Sequence, residues 1–161
     1  MSGGLEIPGG QEGFEEIFID KEGQWFFRGA PIIRQEIVAF LSQHLVRMVD
    51  GSYWIRWKEQ QCPVAVEDTP FVVWGVTGVD SDGKRVGVLL ELNDGTAEML
   101  NPVSLFIGPE NVPYCSVREG EFRARFSRRA YYQLARMVEE APGGEGFCLR
   151  LGERLYPIRQ G

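Results

Sequence analysis

Two arginines, Arg34 and Arg128, stand ninety-four residues apart, each where a run of helical apolar spacing begins. In the first turn of a helix the macrodipole disfavours a cation by about 0.3–1 kcal/mol, so an anion near either residue would be doubly favoured. At roughly 100° per residue, Arg34 falls in the arc of Ile37, Leu41 and Leu45, which points its guanidinium inward and calls for a partner there. Glu67 and Asp68 are the nearest acidic candidates within a motif. A structural Arg–carboxylate pair that locks helix to sheet is the economical reading, and a ligand contact is the alternative. A second concentration of guanidinium groups, Arg118, Arg123, Arg125, Arg128 and Arg129, faces only two glutamates. Strand alternation puts Arg123 and Arg125 on one face and Phe122, Ala124 and Phe126 on the other, so that face is either solvated or, if concave, an anion site.

Other chemistries find little support. His44 is the only histidine, it falls inside an apolar helical arc, and the three cysteines are widely spaced, so a zinc or iron site is not expected and His44 reads as a core or interface residue. No Gly-x-Ser-x-Gly elbow exists, and nothing in the spacing of the 23 acidic residues suggests a glycosidase-type pair. No catalytic residue, metal or cofactor is therefore assigned. Trp25, Trp54, Trp57 and Trp74 either wall a cleft or fill a core. A net charge of −6 repels phosphate backbones and anionic membranes, which argues against nucleic acid as a partner. No apolar run reaches the ~20 residues of a membrane span. The cysteine pattern and the absence of a signal-like start fit a soluble protein of a reducing cytoplasm.

The elements that must hold these residues read as a repeated unit. Lys21-Glu22-Gly23-Gln24-Trp25 and Arg118-Glu119-Gly120-Glu121-Phe122 each open a hairpin, and the segment from Tyr53 to Val64 runs beside that from Phe147 to Ile158 without a gap. The offset is 97 at the first motif and 94 after Gly29-Ala30-Pro31, as an insertion of those three residues would give. A helix is expected from Pro31, in its first turn, through Met48, and another over 128–140 with Ser127 as N-cap. Phe71 to Gly95 reads as a β-meander. The expected fold is α+β, two related β-β-α-β-β modules joined by the meander, with mostly antiparallel sheets. Residues 1–16 are expected to form a flexible tail, 17–70 the N-terminal module, and 71–161 a C-terminal module that includes the meander.

The run from Ile19 to Arg34, with Asp20-Lys21-Glu22-Gly23-Gln24-Trp25 at its head, and the run Val66-Glu67-Asp68-Thr69-Pro70-Phe71-Val72 resemble the bacterial domain-of-unknown-function family twelve eighty-five. Pro113 to Arg118, Ala124 to Arg128 and Tyr131-Tyr132-Gln133-Leu134 are similar to the family's C-terminal signature. The resemblance implies two similar α/β modules, no established activity, and a proposed role in signal transduction.

These readings combine into an expectation of a non-enzymatic sensory or regulatory protein whose two modules enclose a cleft for a small anionic ligand. Arg34, Arg128 and Arg125 would hold the anion, Glu67 or Asp68 would orient the arginines, and Trp25 would wall the site. An interaction module or oligomeric scaffold built on Trp54, Trp57 and strand edges is the alternative. An enzyme that uses acidic residues alone ranks third. The sequence leaves the oligomeric state open.

Overall fold

The structure, a computed structural model, describes residues 16–161. It divides at Pro70–Phe71 into two compact units. The expected tail lies outside the described residues except for Glu16. That residue is buried, its carbonyl accepting from the Arg28 amide at 2.8 Å and its carboxylate paired with the Arg28 guanidinium.

In the first unit, β1 (Ile17–Ile19) and β2 (Trp25–Phe27) form the expected hairpin. Its turn is set locally: the Asp20 carboxylate accepts from the amides of Glu22 and Gln24, each at 2.9 Å, and Gly23 supplies φ of +88°. Ala30–Pro31 adds a short edge strand, β3, against β2. Then come α1 (Gln35–Gln43), β4 (Leu45–Arg47), β5 (Tyr53–Trp57) and β6 (Gln60–Val66). The six strands lie in the order β3-β2-β1-β6-β5-β4, with β1 and β6 parallel and the other pairs antiparallel. Ile17, Ile19, Trp25, Ile55 and Val64 are buried from the sheet, as are Val38 and Leu41 from α1.

The helix expected from Pro31 to Met48 is thus nine residues long. Pro31 lies in an edge strand, where its missing N–H costs nothing, and Leu45 to Arg47 leave the helix to pair with β5.

The second unit begins with β7 (Phe71–Ser81), β8 (Lys84–Leu92) and β9 (Ala97–Met99), followed by β10 (Phe106–Ile107), β11 (Pro113–Val117) and β12 (Phe122–Phe126). The expected meander is present, but β7 also pairs in parallel with β12, so meander and second hairpin share one sheet. Helix α2 (Arg128–Ala135) lies against β7, and its Gln133 side chain accepts from the Val76 amide at 2.7 Å, beside a bulge in β7. After it, β13 (Val138–Glu140), β14 (Phe147–Leu151) and β15 (Arg154–Pro157) make a separate three-stranded sheet. A final short strand, β16 (Arg159–Gln160), returns to pair in parallel with β10. The larger sheet runs β16-β10-β11-β12-β7-β8-β9. Here too the helix is shorter than expected, its predicted last residues forming β13. The fold is α+β with mixed sheets.

In both units a hairpin, a helix and three antiparallel strands follow in that order. At an offset of 94, β14 and β15 reproduce the register of β5 and β6: Trp54 faces Pro63, and Cys148 faces Pro157. The helix caps differ by 93, at Arg34 and Ser127, and Leu45–Ile55 corresponds to Val138–Leu149. The closing contacts differ. In the first unit the last strand, β6, pairs with the hairpin strand β1, whereas in the second β15 pairs only with β14 and the hairpin is completed by β7.

Candidate functional site

Within the second unit, α2, the three-stranded sheet and the β10–β11 edge enclose an open groove of 260 Å³, close to the ~300 Å³ lower bound of small-molecule pockets. One wall is helical: Tyr131, Leu134 and Ala135 lie at the i, i+3, i+4 spacing that shares a face. Val138 and Phe147 continue that wall where the chain turns into β13 and β14. Ile107, Pro113 and Ile158 add to the apolar lining. The polar residues in the lining are Tyr131, Asn111 and Gln160, none of them charged. Of the lining residues Phe147 is 56% exposed, and Tyr132, whose ring is 5.4 Å from that of Tyr131, is 59% exposed.

Charge enters from the start of α2. Ser127 caps the helix as expected, its hydroxyl accepting from the Ala130 amide at 3.1 Å. The next two residues, Arg128 and Arg129, are exposed, their side chains make no ion pair or hydrogen bond among the described residues, and they have no acidic neighbour in the first turn. Arg128 precedes Tyr131 by three residues and Ala135 by seven, which places it at the edge of the helix face that lines the groove.

The other residues expected to bind an anion are placed differently. Arg34 was read as pointing inward, but it is the N-cap of α1, exposed, and held by Glu36 at 2.6 Å. The Glu36 carboxyl is held below its ordinary range, first by its own backbone hydrogen bond and then by Arg34. A wheel phase applies only inside a helix, and Arg34 lies outside it. The helix position that corresponds to Arg34 in the second unit is Ser127, not Arg128, because the helices are offset by 93 rather than 94. Glu67 accepts from the Lys21 amide at 2.9 Å and ties the first turn to the end of β6. Asp68 is exposed, while Trp25 is buried with its indole N–H unpartnered among the described residues. Arg125 is half-buried on β12, on the face opposite Ala124 and Phe126, and Arg123 on that same face lies over the Phe106 ring at 5.2 Å. His44 is half-buried at the end of α1 with its ring 4.7 Å from that of Phe40.

A charged cluster escaped the sequence reading. Asp94, 1% exposed at its side chain, accepts from the Thr96 amide (3.0 Å) and hydroxyl (2.6 Å), and pairs with the Arg118 guanidinium, which lies 4.7 Å over the Phe71 ring. The Arg118 amide donates to both carboxylate oxygens of Glu98, at 3.1 and 3.2 Å. Asn93-Asp94-Gly95 and Arg118-Glu119-Gly120 read separately as turn residues, and only the sheet brings them together. No group of three or more His, Cys, Asp or Glu among the described residues is placed to hold a metal. No helix among them is long and apolar enough to cross a membrane.

No family model and no curated protein matches the chain. Solved structures do. A DUF1285 family protein from Silicibacter pomeroyi DSS-3 superposes with a TM-score of 0.73 at 22% identity, covering 96% of this chain and 90% of that one. A second DUF1285 family protein, from Shewanella baltica OS155, gives 0.63 at 15% identity, over 76% of this chain and 91% of its own. The chain therefore has the fold of the domain-of-unknown-function family that its sequence motifs resemble.

Proposed function

We propose that the protein is a non-enzymatic, small-ligand-binding protein with a sensory or regulatory purpose, and that its ligand, anionic at one end, lies in the groove of the second unit. The observation that carries this reading is an apolar groove walled by a helix that begins with Arg128, three residues before Tyr131 and without an acidic partner among the described residues. An anion there would meet both the guanidinium groups and the positive end of the helix. Of the residues expected to bind the anion, Arg128 is the one whose surroundings support the role. Arg34 and Glu67 already have partners of their own, and Trp25 is enclosed.

We also infer that the two halves are related modules, which bears on why the groove is open. By the shared register, the groove residues Tyr131, Leu134, Ala135 and Val138 correspond to Val38, Leu41, Ser42 and Leu45, and all four of these are at most 5% exposed. In the second unit β15 does not pair with the hairpin, and although Leu134 is buried, Tyr131 and Val138 are half-buried and Ala135 is exposed. The test is to fill the groove. Ala135 is exposed, so Ala135→Trp leaves the core untouched; protein-detected NMR titration with a panel of small anions is expected to shift the groove residues in the native protein and not in the variant. Shifts that persist in the variant, or none in either protein, refute the reading.

Exposed Phe147 and Tyr132 support a second reading, in which another protein chain covers this face. Loss of a co-purifying or crosslinked partner in Phe147→Ala, together with no small-molecule binding, would favour it.

A further inference from the structure

The groove's own chemistry narrows the ligand, on the premise that the groove is the binding site. Its lining is aliphatic, aromatic or neutral polar, with no charged residue, and α2, which forms one wall, begins with Arg128 three residues before Tyr131 on the same helix face. A ligand that is polar over its whole length, such as a sugar phosphate or a nucleotide, would have to strip water from hydroxyls or base edges without enough partners to replace it. A ligand charged along its length would meet no further counter-charge in the lining. An apolar body with one terminal anion meets neither penalty.

We infer that the groove takes a single-chain carboxylate, its apolar chain lying along α2 from Tyr131 toward Val138 and its head group at Arg128. From Arg128 to Ala135 the helix rises roughly 10 Å at 1.5 Å per residue, a span that an extended chain of about eight carbons covers at ~1.3 Å per bond. The chain buries against the half-buried Tyr131, Val138 and Ile158, which gives affinity with little shape demand. The head group stays at the solvent edge, where exposed guanidinium groups bind it without the cost of burying a charge. A carboxylate and a phosphate share this chemistry, and the shape of the site favours whichever carries the single apolar chain.

Calorimetry and NMR titration of the full chain with octanoate, octyl phosphate, octanol, octylamine and acetate separate the two parts of the argument. Octanoate is expected to bind up to about fivefold tighter than octanol, as one exposed ion pair permits. Octylamine is expected to bind most weakly, and acetate, lacking the chain, not at all. Arg128→Gln with Arg129→Gln should bring octanoate down to the level of octanol and remove the salt dependence of its binding. Both arginines are exposed and unpartnered among the described residues, so this variant keeps the fold. If octanoate and octanol bind equally, or the double variant binds octanoate unchanged, the head-group assignment is wrong while the groove remains a site. If octyl phosphate alone binds, the carboxylate assignment is replaced by phosphate. If none of the octyl compounds perturbs the groove residues, both this inference and the groove reading fall.

Discussion

The pair between Asp94 and Arg118 gives the most direct test of what holds the second unit together. Arg118→Ala would leave a carboxylate that is 1% exposed without its guanidinium, while the two donors from Thr96 remain on the other oxygen. Breaking a buried pair from one side costs about 3–5 kcal/mol, and loss of the guanidinium from the Phe71 ring adds about 0.5–2 kcal/mol. Against this, the Arg118 side chain is itself 26% exposed, so water reaches the pair and lowers the total to about 3 kcal/mol. For a chain of this size that corresponds to about 6–12 °C in Tm. Urea unfolding followed by tryptophan fluorescence and far-UV circular dichroism should give the same loss by both probes for a two-state transition. Asp94→Asn completes the comparison: it keeps acceptors for Thr96 but sets amide protons against the guanidinium. In a cycle with Arg118→Ala the coupling should exceed about 1 kcal/mol. A loss below about 1 kcal/mol in Arg118→Ala would mean that the pair behaves as an exposed surface bridge, and the buried lock would be refuted.

Three further outcomes follow from individual contacts. Ser127→Ala should cost about 1 kcal/mol in thermal unfolding by removing the N-cap of α2, whereas Arg34→Ala should stay within about 0.5 kcal/mol because its pair with Glu36 is exposed; a larger loss at Arg34 would restore the inward orientation first expected of it. Burial, reinforced by the Glu16 charge, pushes the Cys62 thiol up to about 11, and burial with Glu98 pushes Cys115 up to about 12. Their protonated forms are therefore favoured by the fold, so stability is fully present below about pH 9 and falls as pH rises toward 11–12; Cys62→Ala should flatten part of that alkaline decline in urea midpoints, and an unchanged slope would refute the assignment. At neutral pH a maleimide reagent should label none of the three buried cysteines in the native chain, and all three after unfolding; rapid native labelling would contradict their burial.

The hairpins were legible because their signals are local. Lys21-Glu22-Gly23 and Arg118-Glu119-Gly120 supply the glycine that each turn needs at positive φ, at +88° and +86°, and the flanking residues alternate. Helix ends were not legible. Leu45 and Met48 continue the apolar spacing of α1, and Val138 that of α2, yet Leu45–Arg47 and Val138–Glu140 also satisfy a strand pattern, and pairing with β5 and β14 decides between the two. No local feature announces such a partner, nor the parallel contacts of β1 with β6 and β12 with β7. The same limit applied to sites. Arg128 was found through the charge of its helix start, whereas the groove draws residues from α2, both sheets and the connecting turns, and Asp94 lies 24 residues from Arg118.

Helix α2 stops at Ala135, and Val138 reaches the groove from a strand instead. The width of the hollow is thereby governed by a backbone preference over Arg136-Met137-Val138, where β-branched Val138 disfavours a further helical turn by a few tenths of a kcal/mol relative to alanine. Another turn of α2 would take Val138, itself part of the groove wall, out of its strand and so change the space that a guest meets. Admission to the cavity is in this way tied to the local stiffness of the chain at the end of the helix.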